Sequence, residues 1–472
     1  MKNDSVSVSI VGLGYVGLST AVCFADRGFR IYAVETDAAK CRAISSGVAP
    51  FREKGIDRLL GKALRTKRLV CTVDYDDAIQ KSAFTFLTVG TPSRPDGSID
   101  LEYVKSAAGS IGKVLKVKDR YHHVAVKSTV VPGTTQSVVK QALETSSGKA
   151  CGRGFGLASN PEFLREGSAV EDTMNPDAIV IGALDESSKK GLVALYRKFY
   201  GRSVPTIITT PSNAEFIKYA VNTFRATQLS FLNTLANLAE KIPGADAGGI
   251  IKGLSAITGL DKRYLRPGLG FGGSCLPKDL RALAAYSKQH GVDPDILEAA
   301  ERVNQRQPEW AVRQADRLLV DMRGKRIAVL GLAFKANSDD IRESVAMKVV
   351  TALCESGANV SVFDPAAMAN ATKVLGGKVH YAKTALECIR GAECAVVATE
   401  WEEFKRIIPK TFVKLMKRPI VVDGKGALDT ARMTDAGGLT YVRIGKGVDA
   451  LPASSAYERR IHKNDYDFTR RK

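Results

Sequence analysis

The stretch VSVSIVGLGYVG, residues 6–17, decides the fold prediction because a strand-like run leads directly into a glycine-rich turn. Residues 6–11 are a short apolar run with β-branched side chains, which is typical of a strand. A helix-like stretch follows over residues 19–27, Gly28 can end that helix, and residues 30–34 are typical of a second strand. The chain is therefore predicted to begin with a βαβ unit.

The three glycines of this turn have separate tasks in a dinucleotide-binding βαβ unit. Gly12 allows a tight turn, Gly14 lets the backbone approach a pyrophosphate, and Gly17 permits close packing of the helix. Glu35 stands at the end of the second predicted strand, where a carboxylate accepts hydrogen bonds from ribose hydroxyls and repels a 2′-phosphate. A solvated strand end is the alternative for Glu35. The pattern predicts NAD rather than NADP as the cofactor.

The α/β rhythm continues beyond this unit. Further strands are predicted at residues 84–89, 124–126, 155–158 and 179–181. The first three lead into loops of small or polar residues, which are candidate site walls because ligands bind beyond the carboxyl ends of parallel strands. In the third loop, Glu162 and Glu166 would share one face if their segment is helical. Such a pair could relay protons, and a solvated helix face is the alternative.

A second glycine-rich stretch, RPGLGFGGSCLPKDLR at residues 266–281, places Cys275 before a predicted helix start. Pro277 suits the first turn of a helix, where its missing N–H costs nothing. The partial positive charge of a helix N-terminus favours a thiolate over a thiol. Asp279 lies one helical turn beyond Cys275. The stretch predicts a reactive cysteine, with a packed cysteine in a surface loop as the alternative.

The pattern becomes helical in the middle of the chain and returns to α/β afterwards. Ser212 and Glu215 have capping-box spacing, and an apolar stripe predicts a long helix running toward Glu240. A second helical stretch is predicted from Asp279 to about Asp321. Later strands are predicted at residues 325–330, 359–363, 395–398 and 420–422. This last part lacks a GxGxxG motif, so no second dinucleotide site is predicted.

The predicted fold class is α/β, with two Rossmann-like doubly wound domains joined by a helical spine. The predicted domains are residues 1–207, a central helical dimerisation domain at 208–322, a third domain at 323–455 and a basic, disordered tail at 456–472. Long exposed helices like those of the spine often pair across a homodimer. We therefore expect a homodimer or a higher homo-oligomer.

Composition narrows the class of protein. A chain with 44% hydrophobic and 25% charged residues is an ordinary globular protein, and without a membrane span or a signal core we expect it in the cytoplasm. Eight cysteines without regular spacing and scattered histidines argue against a disulfide scaffold and a metal site. The net charge of +19 suits an acidic partner. Without a recognisable nucleic-acid module, a phosphorylated small molecule is the expected partner rather than nucleic acid.

Taken together, the motifs resemble those of the nucleotide-sugar 6-dehydrogenases. The matching segments are GLGYVG, VGTP, KSTVVPGT, NPEFLREG, the Lys218 to Asn222 helix, GFGGSCLPKD and LAFKANSDDIRES. The resemblance implies a four-electron oxidation of a sugar C6 alcohol to a carboxylate with two NAD+, in which Cys275 captures the aldehyde and forms a thioester. UDP-glucose is the expected substrate, and GDP-mannose is the alternative.

The resemblance also implies roles for individual residues. The implied catalytic set is Cys275, Lys218, Asp279, Asn222, Thr129, Glu162 and Glu166. The implied cofactor-binding set is Gly12, Gly14, Tyr15, Val16, Gly17, Glu35, Lys40, Thr91, Thr129, Glu162, Lys278 and Arg342. The implied substrate-binding set is Phe163, Leu164, Arg165, Glu166, Lys218, Asn222, Arg263, Phe271, Gly272, Phe334 and Lys335. No metal ligand is implied.

Two segments depart from the family pattern. The segment at residues 261–265 is shorter than usual, which weakens the assignment of a partner-subunit contact to Arg263. Lys425 stands in a turn where many relatives have arginine, and lysine cannot reproduce a bidentate fork. Two rival functions also stay open: a two-electron hydroxy-acid dehydrogenase, and a catalytically silent protein that binds NAD or nucleic acid.

Overall fold

A computed structural model of the chain describes residues 6–261 and 264–446. The chain divides into two compact units, residues 1–221 and 222–472. Arg263 and the predicted tail at residues 456–472 lie outside the described residues. The finer division into three domains and a tail stays a prediction.

The first unit is built on a sheet of eight strands. They are β1 (Ser7–Val11), β2 (Arg30–Val34), β3 (Leu69–Thr72), β4 (Phe84–Leu87), β5 (His123–Val126), β6 (Gly156–Ser159), β7 (Ile179–Ala183) and β8 (Thr206–Thr209). The helices are α1 (Tyr15–Asp26), α2 (Ala38–Ser45), α3 (Ile56–Arg65), α4 (Tyr75–Gln80), α5 (Glu102–Val117), α6 (Lys140–Ser147), α7 (Ala169–Met174) and α8 (Glu186–Tyr200), with a π-helical turn at Thr135–Val139. The strand order is β3-β2-β1-β4-β5-β6-β7-β8, and β6 pairs with β7 antiparallel while the other pairs are parallel.

Five helices follow among the described residues in the middle of the chain. They are α9 (Pro211–Ala239), α10 (Ala247–Thr258), α11 (Leu276–Gln289), α12 (Asp295–Arg306) and α13 (Glu309–Leu319). The single helical stretch predicted from Asp279 to about Asp321 is therefore three helices. Gly291, with φ +70°, turns the chain after α11, and Pro294 and Pro308 start the next two helices because proline has no N–H to donate.

The second unit has its own sheet of six parallel strands. They are β9 (Arg326–Leu330), β10 (Asn359–Phe363), β11 (His380–Tyr381), β12 (Cys394–Val397), β13 (Ile420–Asp423) and β14 (Thr440–Arg443). Its further helices are α14 (Val345–Glu355), α15 (Met368–Leu375), α16 (Ala385–Ile389), α17 (Glu402–Lys405), α18 (Pro409–Leu415) and α19 (Thr430–Thr434), with a 3₁₀ turn at Gly376–Lys378. The strand order β11-β10-β9-β12-β13-β14 repeats the order of the first six strands of the other sheet.

Apolar clusters on the faces of the sheets explain why these sheets form. The central strands of each sheet are buried on both faces, as parallel strands covered by helices usually are. The predicted fold class, with two Rossmann-like sheets and a helical region between them in the chain, is confirmed. Within residues 6–261 and 264–446, no helix is long and apolar enough to cross a membrane.

Candidate active site

The glycine-rich turn after β1 has the geometry that the sequence predicts. Gly12 has φ +92°, and a Cβ on Gly17 would lie 1.9 Å from the Gly12 carbonyl oxygen, so neither position accepts a side chain easily. A Cβ on Gly14 would meet nothing within 4 Å. Helix α1 begins at Tyr15, four residues earlier than predicted, because Gly17 belongs to the helix and packs against the turn. The turn thus presents bare backbone and a helix N-terminus, a combination that fits a pyrophosphate.

Glu35 follows β2 and is held in place from three directions. Its carboxylate accepts hydrogen bonds from the backbone N–H groups of Leu13 and Asp37, both at 3.2 Å. The Lys40 Nζ atom lies 2.7 Å from Glu35 Oε2. Glu35 is therefore fixed beside the glycine turn, where the acidic residue of a dinucleotide site belongs. The residues present fit NAD.

Two of the predicted loop residues meet at the carboxyl ends of β4 and β5. The Thr91 hydroxyl donates to the Thr129 carbonyl at 2.8 Å, and the Ser128 hydroxyl donates to the Val89 carbonyl at 2.6 Å. Both predicted loops therefore form one wall. Next to the glycine turn, the Tyr15 hydroxyl donates to a backbone carbonyl at 2.6 Å and its ring stacks on Phe51.

Lys218 and Glu162 form a buried ion pair in the first unit. The Lys218 Nζ atom lies 2.9 Å from Glu162 Oε1 and donates to the Glu162 carbonyl at 2.6 Å. Both side chains are less than a tenth exposed, and the ring of Phe163 lies 5.5 Å from the ammonium group. Glu162 also accepts from the Leu164 N–H. A buried amino group with a fixed carboxylate suits stabilisation of a developing negative charge.

The segment that carries Glu162 and Glu166 is not helical, so the shared helix face considered for the two carboxylates is wrong. Pro161 precludes one backbone hydrogen bond, and side chains fix the segment instead. Arg165 forms a bidentate ion pair with Asp172, with N–O distances of 3.1 and 2.6 Å. Asp172 is a positioning residue that no motif in the sequence indicated.

The spacing between Ser212 and Glu215 predicts the wrong role for Glu215. Helix α9 begins at Pro211, which places Ser212 inside the helix, so the predicted capping box is wrong. The Glu215 carboxylate instead accepts from the N–H groups of Gly133 and Thr135, at 2.6 and 2.7 Å. Burial raises the pKa of Glu215 to about 7, against the opposing effect of these two donors. Glu215 thus ties the helix of Lys218 to the loop that follows β5.

A second buried lysine supports the same region. The Lys127 Nζ atom lies 3.2 Å from both the carbonyl and the side-chain oxygen of Asn160, and 3.3 Å from the Tyr196 hydroxyl. Burial lowers the pKa of Lys127 to about 8. Lys127 therefore fixes the backbone immediately before Pro161 and Glu162. The KSTVVPGT segment indicates Thr129 as a site residue, but nothing in the sequence indicates this role for Lys127.

In the second unit, Cys275 lies where the sequence predicts, directly before the first residue of α11. Its side chain is exposed, and Pro277 occupies the first turn of the helix. Asp279 is one turn further, where it is 1% exposed. Its carboxylate accepts from the Asn222 amide at 2.6 Å and pairs with the Lys278 ammonium at 2.6 Å. The structure thus brings Asn222, Lys278 and Asp279 together beside the turn of Cys275.

The glycines before Cys275 allow its loop to be held by the backbone. Asn304 accepts from the Phe271 N–H at 2.7 Å and donates to the Phe271 carbonyl at 2.9 Å. The Gly273 N–H donates to the Arg342 carbonyl at 3.0 Å, and a Cβ on Gly272 would lie only 2.2 Å from the Glu343 carbonyl oxygen. The loop is therefore locked against α12 and against residues 331–344. Asn304 could not be found from the sequence because its partner is far away in the chain.

Residues 331–344 contain the other predicted ligand contacts of this unit. The Lys335 ammonium lies 5.6 Å from the centre of the Phe334 ring. Arg342 pairs with Asp340, with a closest N–O distance of 2.6 Å, and its side chain is 63% exposed. Asn337 and Glu343 have φ of +65° and +50°, which few residues other than glycine adopt. Lys335 and the exposed Arg342 place two cations on this loop, and such groups suit an anionic ligand.

Comparison with known proteins identifies the family. The NAD-binding domain of the UDP-glucose/GDP-mannose dehydrogenase family matches residues 6–200, its central domain residues 212–306 and its UDP-binding domain residues 328–430. The UDP-glucose 6-dehydrogenase AglM of Haloferax volcanii is 41% identical over 424 residues, which cover 89% of this chain and 96% of the relative. The UDP-glucose 6-dehydrogenase TuaD of Bacillus subtilis is 36% identical, with 93% of each chain covered.

A solved structure agrees with the sequence comparison. A UDP-glucose dehydrogenase from the archaeon Pyrobaculum islandicum has a TM-score of 0.85 and 37% identity, with 94% of this chain and 98% of that chain covered. The three domain models match successive parts of the chain, and the two relatives each match about nine tenths of it. The chain therefore belongs to the UDP-glucose/GDP-mannose dehydrogenase family of NAD-dependent nucleotide-sugar dehydrogenases.

Proposed function

We propose that the chain oxidises the C6 alcohol of UDP-glucose to a carboxylate and that Cys275 holds the intermediate covalently. The observation that carries this proposal is the exposed thiol of Cys275 at the N-terminus of α11, in a loop fixed by Asn304 and by the Arg342 carbonyl. Relatives named UDP-glucose 6-dehydrogenase favour UDP-glucose over GDP-mannose.

A covalent intermediate explains why a cysteine is needed. When bound, NAD+ would supply the hydride acceptor for each of two oxidations at the sugar C6 carbon. After the first oxidation, the Cys275 thiolate adds to the aldehyde carbon and forms a thiohemiacetal. The second oxidation gives a thioester, and water then breaks the C–S bond to release the carboxylate and the thiolate. Cys275 thus prevents loss of the aldehyde between the two steps.

The surrounding residues have complementary roles in this proposal. Lys218, kept in place by Glu162, stabilises the oxyanion at C6. Asp279, kept in place by Asn222 and Lys278, orients or activates the hydrolytic water. Thr129 and Glu166 help to hold that water, and Glu162 also serves the cofactor pocket or acid–base chemistry.

Separate sets of residues bind the cofactor and the sugar nucleotide. We assign cofactor binding to Gly12, Gly14, Tyr15, Val16, Gly17, Glu35, Lys40, Thr91, Lys278 and Arg342. We assign sugar-nucleotide binding to Phe163, Leu164, Arg165, Phe271, Gly272, Phe334 and Lys335. The support for the first set is the bare glycine turn beside the fixed Glu35, and the support for the second is the match of residues 328–430 to a UDP-binding domain.

A homodimer is part of the proposed assembly. Phe224, Phe231 and Leu238 recur at seven-residue spacing on α9, and each is more than half exposed. Seven-residue spacing puts the three side chains on one stripe of the helix. In a homodimer, the stripe on α9 of one copy would pack against the same stripe of the second copy. Sedimentation should give a dimer for the unmodified chain and a monomer for Phe231→Glu; a monomeric unmodified chain would reject this assignment.

The stoichiometry of NADH tests the chemistry. Purified protein should form two NADH per UDP-glucose, whereas a simple alcohol or hydroxy-acid dehydrogenase forms one. Cys275→Ser should abolish formation of the uronate, and the matched variant Cys354→Ser, in the same unit, should leave it unchanged. Faster NADH formation with GDP-mannose than with UDP-glucose would move the substrate assignment to that sugar.

A further inference from the structure

Cys41 and Cys71 place two thiols in direct contact in the first unit. Their Sγ atoms are 3.0 Å apart. Cys41 lies on α2, and Cys71 lies on β3, where it pairs with Ala33 of β2. The sulfur atoms of a disulfide are about 2.05 Å apart, so an approach of roughly 1 Å would bring the two thiols to bonding distance.

The pair is accessible from solvent. Both cysteines line an open cavity of about 620 Å³, together with Ala38, Arg42, Ser45 and Thr72. Cys41 is buried and Cys71 is partly exposed. A small oxidant can therefore reach Cys71 first, with Cys41 directly behind it.

Each cysteine is the chain neighbour of a residue that holds Glu35. Lys40, which precedes Cys41, lies 2.7 Å from the Glu35 carboxylate. Thr72, which follows Cys71, accepts a hydrogen bond from the Glu35 backbone N–H at 3.0 Å. A covalent bond between the two cysteines would therefore join the two anchors of Glu35.

We propose that Cys41 and Cys71 are a thiol-modification site, at which a reversible disulfide forms and weakens NAD+ binding. The effect on NAD+ rests on the ribose-binding role proposed above for Glu35 and Lys40. Hydrogen bonds weaken within a few tenths of an ångström of added length or with a poor angle, and we expect α2, which carries Lys40, to take up part of the approach of roughly 1 Å. We expect the dissociation constant of NAD+ to rise about tenfold, the size of effect that loss of one such contact produces.

The oxidant belongs to the class of peroxides. The Cys71 thiol loses its proton, and the thiolate attacks one peroxide oxygen, which breaks the O–O bond and gives a sulfenic acid and a hydroxide that takes up the lost proton as water. The Cys41 thiol then attacks the sulfenic sulfur, forms the S–S bond and releases a second water. The two thiols lose two electrons, which reduce hydrogen peroxide to two waters, and a dithiol such as dithiothreitol reverses the bond by exchange.

The surroundings make this a slow thiol pair. Burial, together with the neighbouring thiol of Cys41, raises the pKa of Cys71. Because the thiolate is the reactive form, we expect the exposed Cys275 to react with peroxide first. The test therefore uses the full-length Cys275→Ser variant.

Two measurements test the proposal without relying on turnover. After treatment with hydrogen peroxide, peptide mass spectrometry should find the peptides of Cys41 and Cys71 linked to each other. Calorimetric titration should show the rise in the dissociation constant of NAD+, and dithiothreitol should restore the original value. By linkage, saturating NAD+ should shift the disulfide equilibrium in a dithiothreitol buffer toward the dithiol by the same factor.

Variants of single cysteines provide the controls. Adding Cys71→Ser should remove both the linked peptide and the effect of peroxide on NAD+ binding, and Cys41→Ser should do the same. Adding Cys23→Ser, which removes another buried thiol of this unit, should change neither. Absence of the Cys41–Cys71 peptide, or unchanged NAD+ affinity in protein that contains it, overturns the proposal. Neither the linked peptide nor the dissociation constant of NAD+ depends on the identity of the sugar substrate. The proposed sugar oxidation can therefore fail while this proposal holds, and the reverse is also true.

Discussion

The two sheets share a strand order but differ in the turn after the first strand. Gly12-Leu13-Gly14 follows β1, and Gly331-Leu332-Ala333 follows β9. The first glycine is left-handed in both turns, with φ of +92° and +104°. Only in the first sheet does a helix start directly after the turn, because α14 does not begin until Val345. The same topology thus leads to bare backbone and a helix N-terminus in one sheet and to a long loop in the other.

The acidic residue after the second strand shows the same difference. Glu35 accepts from two backbone N–H groups and Lys40. Asp364, which follows β10, accepts from the N–H groups of Leu332, Ala333, Ala366 and Ala367 and from the indole of Trp401. Asp364 is only 1% exposed. One carboxylate keeps capacity for a ligand, whereas the other is saturated and stabilises its own turn.

The largest expected effect is on the stability of the second unit. Asp364→Ala leaves five donors, four of them in buried hydrogen bonds, without their acceptor, so we expect it to lower the free energy of unfolding by roughly 3 kcal/mol or more. Asp435→Ala, an exposed change in the same unit, should stay within about 0.5 kcal/mol. Denaturant unfolding measures both. A loss for Asp364→Ala no larger than that of the control would contradict the structural role of Asp364.

The next largest effect is on the cofactor. Gly14→Ala makes the first turn resemble the second, and it should raise the Michaelis constant for NAD+ by more than about tenfold because the methyl group occupies the surface that the phosphates approach. Folding should be unaffected because a Cβ there meets nothing within 4 Å. Gly61→Ala on α3 is the matched control. Unchanged NAD+ kinetics would remove Gly14 from the phosphate site.

Glu35→Ala should have a smaller effect on the same constant. Loss of the ribose acceptor should raise the Michaelis constant for NAD+ by about tenfold and leave that for UDP-glucose nearly unchanged. Steady-state kinetics with each substrate varied in turn provide the measurement. If both constants rise equally, Glu35 does not contact the ribose.

The smallest effect concerns the buried charge of Lys127, which follows β5 of the first sheet. Its sign is opposite to that of the buried Asp364 carboxylate in the second unit. The pKa of Lys127 is lowered to about 8, so between about pH 8 and 10.5 the unfolded chain binds a proton that the folded chain does not. The folded state should therefore gain stability, relative to Lys127→Met, by on the order of 1 kcal/mol as pH rises through this window. Denaturant unfolding at pH 7 and pH 9.5 measures the difference, and a difference independent of pH rejects the shift.

Sequence patterns predicted the parts of the molecule that depend on backbone chemistry. The start of α11 after Cys275 and the turn at Gly12 follow from glycine and proline, whose constraints act within a few residues. The partners of Glu215 and Asn304 could not be predicted, because the Gly133 and Phe271 N–H groups that they accept from are distant in the chain. The non-helical segment around Glu162 was missed because its fixing contacts are made by side chains: Asp172 holds Arg165, and Lys218, far along the chain, holds Glu162.

The close approach of Gly272 to the Glu343 carbonyl limits how the Cys275 loop can be transferred to another protein. A graft of residues 266–281 alone would lack Glu343, whose left-handed backbone shapes the opposite wall. It would also lack the Arg342 carbonyl that accepts a hydrogen bond from the Gly273 N–H. The smallest transferable module therefore consists of residues 266–281, residues 331–344 and the part of α12 that carries Asn304. A design that transfers Cys275 must also transfer the segments that hold its loop.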